Sequence, residues 1–422
     1  MSEHILLIEE GIILKKEIID YFTKKGLKIT LITEYGTRFE NLYDQVITID
    51  LSQWPNLSKI LKKLNEEKSF IAVIGFNEPS IGLVNDISNL LNLPVISNYS
   101  SQSFRYKDRM RIATEAYGIQ TPKYKVIENY EDVYKLSDWK YPLMIKPVSY
   151  MGSIGAKKID TFTQLINYAP RLLNLKFPIF FNDTIHELGA VHNFSNKIIV
   201  EEFIEGQEFS VEGFMVNGKY YPLGVTHKFT TNKGYIDELA HIFPADISKE
   251  LENEIINFAE QVHYALGLQN TLTHIEVKLN NMGDLYLIEL GARMGGDNIH
   301  RLMNKYFEGF NISELNLLVR SKNPQIKSFK PINPNNHIGI IFFNVPKEYE
   351  GKQIKSIEVN NIDCPSITVL ETQLFLNPTD EINKGIDWGL ERAGFVLVES
   401  KDFNAISSFV SEANSYLKIE IL

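Results

Sequence analysis

Two glutamates, Glu276 and Glu289, sit in a pattern that brings them together. In His274-Ile275-Glu276-Val277-Lys278-Leu279 the residues alternate, with Ile275, Val277 and Leu279 on one face and His274, Glu276 and Lys278 on the other. Asn281-Met282-Gly283-Asp284 supplies turn chemistry, and Leu285 to Gly291 reads as a returning strand. A hairpin symmetric about that turn places Glu276 opposite Glu289, with β-carbons about 5 Å apart. Carboxylates so placed repel. A hard divalent ion such as Mg²⁺, typically held by one or two carboxylates, relieves the repulsion; solvation or a neighbouring lysine satisfies the same spacing. Arg293 lies four residues beyond Glu289, and Gly291, Gly295 and Gly296 around it let the backbone approach a ligand closely. A guanidinium there can hold a carboxylate at two points and stabilise negative charge developing during acyl transfer. A structural salt bridge with an acidic neighbour is the plain alternative.

Two further segments carry polar groups in useful surroundings. Tyr141-Pro142-Leu143-Met144-Ile145-Lys146-Pro147 reads as a buried strand ending in a lysine, followed by the small-residue loop Ser149-Tyr150-Met151-Gly152-Ser153-Ile154-Gly155. Such a loop offers backbone N–H groups to phosphate oxygens, with Lys146 supplying charge. The P-loop spacing is absent, and an ordinary hairpin turn fits the same residues. Residues 198–213, IIVEEFIEGQEFSVEG, read as a strand, a short acidic connector and a second strand. The backbone around Glu201 and Glu202 suits a purine edge and Glu208 suits sugar hydroxyls, while a solvated hairpin is the unaided reading.

These segments need a scaffold. Over the first hundred residues, short apolar runs such as HILLIEE and FIAVIGF alternate with amphipathic stretches such as KKEIIDYFTKKG, a parallel α/β pattern. After the first strand only one glycine, Gly11, follows Ile8-Glu9-Glu10, so the dinucleotide fingerprint is missing and NAD is not expected. Hairpin-like strands dominate as far as Arg293. A Pro/Asn-rich connector (KPINPNN, 330–336) then leads to further strands and a final helix over residues 404–416. The 422 residues are enough for two or three domains. No run approaches the roughly 18 apolar residues of a membrane span, and the N-terminus lacks the pattern of a secretory signal; a cytoplasmic protein with no membrane partner is expected. The single cysteine, Cys364, excludes a cysteine-based metal site. A formal charge of −10 argues against nucleic-acid partners while leaving room for a local phosphate pocket.

Taken together and in order, these motifs resemble the ATP-grasp superfamily over roughly residues 104–320. The resemblance implies a mixed α/β and α+β, three-domain architecture: an N-terminal α/β domain (1–103), a two-lobed ATP-grasp domain (104–325) and a small C-terminal domain (326–422). It implies ATP and Mg²⁺ as cofactors, with Mn²⁺ an admissible substitute. Lys107, in YKDRMR, and Lys146 would contact the phosphates, and Ser149, Gly152, Ser153 and Gly155 would belong to the loop closing over them. Glu201, Glu202, Phe203 and Ile204 would form the adenine-binding linker, with Glu208 at the ribose. Glu276 and Glu289 would hold the metal, and Arg293 would act at the acyl-phosphate end. In much of the superfamily an asparagine stands two residues after the second glutamate; here it is Gly291, which leaves a third protein ligand open. GLQNTLTHIEVK, YLIELGARMGGD and ELAHIFPA look most like the L-amino acid ligases and related carboxylate–amine ligases. That similarity implies that Glu238, His241 and Asp297, the last one helical turn past Arg293, face a substrate pocket.

The expected reaction is phosphoryl transfer from ATP to a carboxylate, followed by amine attack to give an amide, ADP and phosphate. The substrates would be small molecules, and a homo-oligomer is admissible. A bicarbonate-activating ATP-grasp carboxylase would share every ATP residue, and a non-catalytic ATP-binding regulatory protein would keep the fold without needing Arg293.

Overall fold

The computed structural model describes residues 3–10, 16–34, 36–37, 39–51, 53–99, 101–149, 152–174, 197–231, 234–322, 324–326, 328–382 and 391–422. Gly11, Tyr150 and Met151 lie outside these. The early apolar runs form a parallel sheet from β1 (His4–Ile8), β2 (Lys28–Thr33), β3 (Gln45–Thr48) and β4 (Phe70–Ile74), in the order β3-β2-β1-β4. β1 is buried at every position, as an unbroken apolar strand covered on both faces must be. The helices Lys16–Lys24, Trp54–Lys68 and Glu78–Leu90 accompany this sheet.

β5 (Tyr124–Ile127), β6 (Leu143–Pro147), β7 (Lys157–Ile159) and β8 (Ile198–Glu202) make a second, antiparallel sheet in the order β5-β8-β6-β7. It has its own core, in which Leu143, Ile145, Ile198 and Val200 meet Leu165 and Leu172 of the helix Phe162–Leu173.

The third sheet is the largest. β9 (Gly206–Val216), β10 (Lys219–Thr230), β11 (Glu238–Phe243), β12 (Thr271–Asn280), β13 (Leu285–Gly291) and β14 (His337–Asn344) lie in it. So do β16 (Thr368–Leu374) and β17 (Arg392–Ser400), while β15 (Ile354–Val359) pairs separately with β18 (Leu417–Ile421). Its order is β13-β12-β9-β10-β11-β14-β17-β16, antiparallel throughout. The strands beyond the 330–336 connector therefore continue the same sheet through the β11–β14 pairing. Apolar residues of the N-terminal helices, Leu57, Leu61 and Ile87, share a core with Phe209, Val211 and Ile275 of the third sheet.

One expectation changes here. Residues 198–213 are not a hairpin: β8 belongs to the second sheet, β9 to the third, and residues 203–205 cross between them. Nor is Glu201, beside that connector, solvated: it is only 2% exposed. Arg111, fully buried on the helix Lys107–Glu115, places Nε 2.8 Å from Glu201 Oε1 and donates from Nη2 to the Ile288 carbonyl of β13 at 2.7 Å. Lys146 Nζ lies 2.8 Å from the other Glu201 oxygen. This triad ties the second sheet to the third. Burial alone would raise the Glu201 carboxyl, but the Arg111 and Lys146 cations outweigh it and hold its pKa at about 2.

Glu201→Gln leaves two buried cations short of an anion, and a loss of about 3–5 kcal/mol is expected on urea denaturation. Because the folded-state pKa is depressed from 4.5 to about 2, the wild-type contribution is present above pH 4.5 and fades as the pH falls towards 2. The stability difference between wild type and Glu201→Gln should shrink across that window; an equal difference at both ends contradicts the triad. Gly206, just past the connector, has φ +139°, and a Cβ there would stand 1.9 Å from the Leu279 carbonyl oxygen. Gly206→Ala is therefore expected to cost at least about 2 kcal/mol by the same assay.

Candidate functional site

A cavity lies where the second sheet faces the third. Its wall takes Met144 and Lys146 from β6, the crossing residues Phe203 and Ile204, and Glu276 and Glu289 from β12 and β13. Phe203 is clasped between the Lys158 ammonium, 4.4 Å from its ring centroid, and that of Lys278, at 4.8 Å. Lys278 also donates to the Ile204 carbonyl at 3.3 Å and lies 3.6 Å from Glu208. The crossing segment is thus held from both sheets, with its apolar side chains at the cavity.

The β12–β13 register pairs Glu276 directly with Glu289, with a bulge immediately after Glu276. Ile275 and Val277 are fully buried on the opposite face, as the alternation requires. The turn is held by Asn280, whose Oδ1 accepts from the Met282 and Asp284 amides. Each carboxylate has a cationic neighbour. Lys107, the first residue of its helix and only 5% exposed, places Nζ 2.9 Å from Glu289. Burial is the main influence on this lysine and lowers its pKa, Glu289 opposing. Glu276 pairs with Lys228 of β10, whose Nζ also lies 2.9 Å from Glu208 and 2.9 Å from Glu238. Burial works against the Lys228 charge, and the three surrounding carboxylates more than compensate, raising its pKa well above the usual value. His274 reaches Glu212 through Nδ1 at 2.7 Å and Glu276 through Nε2 at 3.4 Å. Despite burial, these acids raise its pKa to about 9, so it is cationic at neutral pH.

Arg293 Nε lies 2.5 Å from Glu78 Oε2, at the start of the helix Glu78–Leu90. The two charges are in direct contact. A Cβ on Gly291 would lie 3.4 Å from the same Glu78 oxygen. Glu78 thus fills the space beside Gly291, while Glu276 and Glu289 are hard oxygen donors of the kind that suits Mg²⁺. A tighter cluster, Glu238, His241 and Asp297, has its donor atoms within 4.8 Å of one another. Within it Arg392 pairs with Asp297, its Nη1 and Nη2 lying 2.5 and 3.1 Å from the two Asp297 oxygens.

Several expected placements are altered. Asp297 is not one helical turn past Arg293: residues 292–298 form a non-helical loop, Asp297 and Asn298 adopt left-handed φ of 51° and 60°, and the helix begins at Ile299. Glycines and an αL pair interrupt any helix there. His241 is 1% exposed and burial lowers its pKa, so it is neutral rather than poised near pH 7. Gly152 and Ser153 reach the cavity wall, whereas Ser149 and Gly155 do not. The Ser149 carbonyl instead accepts from Arg105 at 2.7 Å, and Gly155 packs against Leu172 and Pro147. Lys146, Glu201, Glu202, Phe203, Ile204 and Glu208 line the cavity, as do Lys107, Arg293, Glu238, His241 and Asp297. Sequence reasoning missed Glu78, Arg111, Lys228 and Arg392. Glu78 alone carried a usable signal, since it follows the last strand of the parallel pattern, where ligands gather at strand carboxyl ends.

Comparison with known proteins bears on the fold. Residues 139–301 match the family described as ATP-grasp domain. Alanine–anticapsin ligase of Bacillus subtilis is 30% identical over 236 residues, covering 51% of this chain and 46% of that protein. The chain thus spans about half the length of the curated relatives it first matches. Among solved structures, an L-amino acid ligase from Bacillus licheniformis superposes with a TM-score of 0.75 at 20% identity, covering 100% of this chain and 99% of that one. The biotin carboxylase domain of a Hydrogenobacter thermophilus 2-oxoglutarate carboxylase superposes at 0.64 and 15% identity, over 100% and 91%. Fold alone therefore does not separate ligase from carboxylase; residues 139–301 match an ATP-grasp domain, and the whole chain is similar in fold to these structures.

Proposed function

We propose that the protein is an ATP-dependent carboxylate–amine ligase that converts a small α-amino acid, or a similar carboxylic acid, to an acyl phosphate and joins it to an amine. The observation that carries this reading is the shared cavity of the Glu276–Glu289 pair, Arg293 and the acidic cluster Glu238 and Asp297. In this reading ATP-grasp machinery spans residues 104–325, between an N-terminal unit (1–103) and a C-terminal one (326–422). The backbone of residues 201–204 receives adenine and Glu208 the ribose. Lys107, Lys146, Gly152 and Ser153 face the phosphates. Mg²⁺, or Mn²⁺ in its place, held by Glu276 and Glu289, supplies charge neutralisation at the phosphates.

A carboxylate oxygen of the acyl substrate attacks the γ-phosphorus and ADP leaves. The amine then attacks the acyl carbon, and phosphate departs with that carboxylate oxygen, leaving an amide. Arg293 stabilises the charge on the acyl group. Glu238 and Asp297 suit an ammonium group, and neutral His241 is able to accept a proton from an attacking amine. An anionic substrate such as bicarbonate has no use for the acidic cluster, which favours the ligase over the carboxylase reading. The relatives, an alanine–anticapsin ligase and an L-amino acid ligase, point the same way. Among the described residues no helix is long and apolar enough to cross a membrane.

Paired amino acids should drive ADP release with an amide detectable by mass spectrometry, and Arg293→Lys, which keeps charge but loses the two-point fork, should lower kcat at least about tenfold. ADP release with bicarbonate alone, and with no amino acid, overturns the ligase reading. In Glu276→Gln and Glu289→Gln, the Mg²⁺ concentration for half-maximal activity should rise about tenfold or more. Titrations overlaying the wild-type curve remove both residues from the metal site.

A further inference from the structure

We propose that Arg392 is a positioning residue for substrate recognition: through its two-point hold on Asp297 it keeps Asp297 and Glu238 side by side as an anionic seat for the ammonium group of the acyl substrate. This rests on the ligase reading and deepens it by naming what organises the seat.

Arg392 opens β17, far along the chain from the carboxylates it contacts. Besides the two bonds to Asp297, its Nη2 lies 3.6 Å from Glu238 Oε2 and donates to the Glu238 carbonyl at 3.5 Å. Its guanidinium lies 3.9 Å from the centroid of the Phe342 ring, a buried residue of β14. The His241 ring meets the same phenyl edge-on at 5.8 Å. One apolar plate thus fixes both the guanidinium and the imidazole whose Nε2 lies 3.4 Å from Glu238 and 3.3 Å from Asp297. Glu238, His241 and Asp297 line the cavity, whereas Arg392 does not. It acts from behind.

Charge explains why such a group is needed. Carboxylates this close disfavour each other's ionisation unless a cation stands by. Lys228 serves Glu238 but is shared with Glu208 and Glu276, and His241 is neutral. Among the described residues, Arg392 is the arginine or lysine paired with Asp297. Geometry adds a second reason. Asp297 and Asn298 both adopt left-handed backbone, uncommon for residues other than glycine, and a bidentate guanidinium is a directional anchor for a turn so arranged. With Arg392 holding both Asp297 oxygens, the pair keeps a net negative charge after pairing, enough for one ammonium and poorly matched to an acid without one.

The test is isothermal titration of L-alanine and of propionate, its counterpart without the amine, into full-length protein loaded with MgADP, together with steady-state kinetics. The wild type should bind alanine at least about tenfold tighter than propionate, the size of one charge-assisted contact. Arg392→Met, which retains bulk over Phe342, and Asp297→Asn should each bring that ratio close to one, raising KM for the amino acid while MgADP affinity is unchanged within about twofold. Because Arg392 acts through Asp297, the double variant should lose no more than either single one. If Arg392→Met does not fold, the near-isosteric Asp297→Asn still reads the ratio. A wild type without preference for alanine, variants that keep the wild-type ratio, or single effects that multiply in the double variant overturn the proposal. A wild type that prefers alanine yet forms no amide with any amine overturns the ligase reading instead and leaves the ammonium seat standing.

Discussion

Lys228 is the charge on which the cavity depends. It sits 4% exposed on β10, within ion-pair reach of Glu208 from β9, Glu238 from β11 and Glu276 from β12. Removing a lone ammonium from water costs several kcal/mol, as does crowding three carboxylates without a cation. Each side therefore requires the other. The antiparallel register supplies the meeting: Lys228 faces Glu208 across β9–β10, and Glu276 projects from β12 on the far side of β9. Under the ligase reading, one buried lysine then links the residues assigned to ribose, metal and substrate. An ion entering at Glu276 would change the charge felt at the other two.

The same economy of charge draws in the ends of the chain. Glu78, after the last strand of the N-terminal parallel sheet, meets Arg293, and Arg392, from the C-terminal strands, meets Asp297. The loop carrying Arg293 and Asp297 is thus braced from both sides. Its approach to the sheet is close: a Cβ on Gly295 would stand 2.9 Å from His274 Nδ1 and 3.0 Å from Glu212 Oε2. Glycine there permits the loop to lie against the His274–Glu212 pair.

Local signals in the sequence carried much of this. Alternation and a Met-Gly-Asp turn were enough to set Glu276 opposite Glu289, because a hairpin's register follows from its turn. The parallel pattern of the first hundred residues was equally readable, since buried parallel strands are unbroken apolar runs. What escaped was non-local. Lys228 in GVTHKFT looks like one lysine among many until the order β12-β9-β10-β11 is known. Arg111 reads as one charge of a basic helix, and only the tertiary fold buries it against Glu201. The 198–213 segment was misread as a hairpin because strand, connector and strand look alike whether the chain turns back or crosses to another sheet. The helical placing of Asp297 failed for a different reason. Spacing of four residues suggested a turn of helix, but the glycines between favour an extended loop.

The central claim is that a carboxylate oxygen takes the phosphoryl group in this cavity. It is tested most directly by giving the acyl substrate with both carboxylate oxygens labelled with ¹⁸O and following the label by mass spectrometry. One labelled oxygen per turnover is expected in the inorganic phosphate, with the other retained in the amide carbonyl. Phosphate free of label, or label recovered in AMP, would contradict activation through an acyl phosphate.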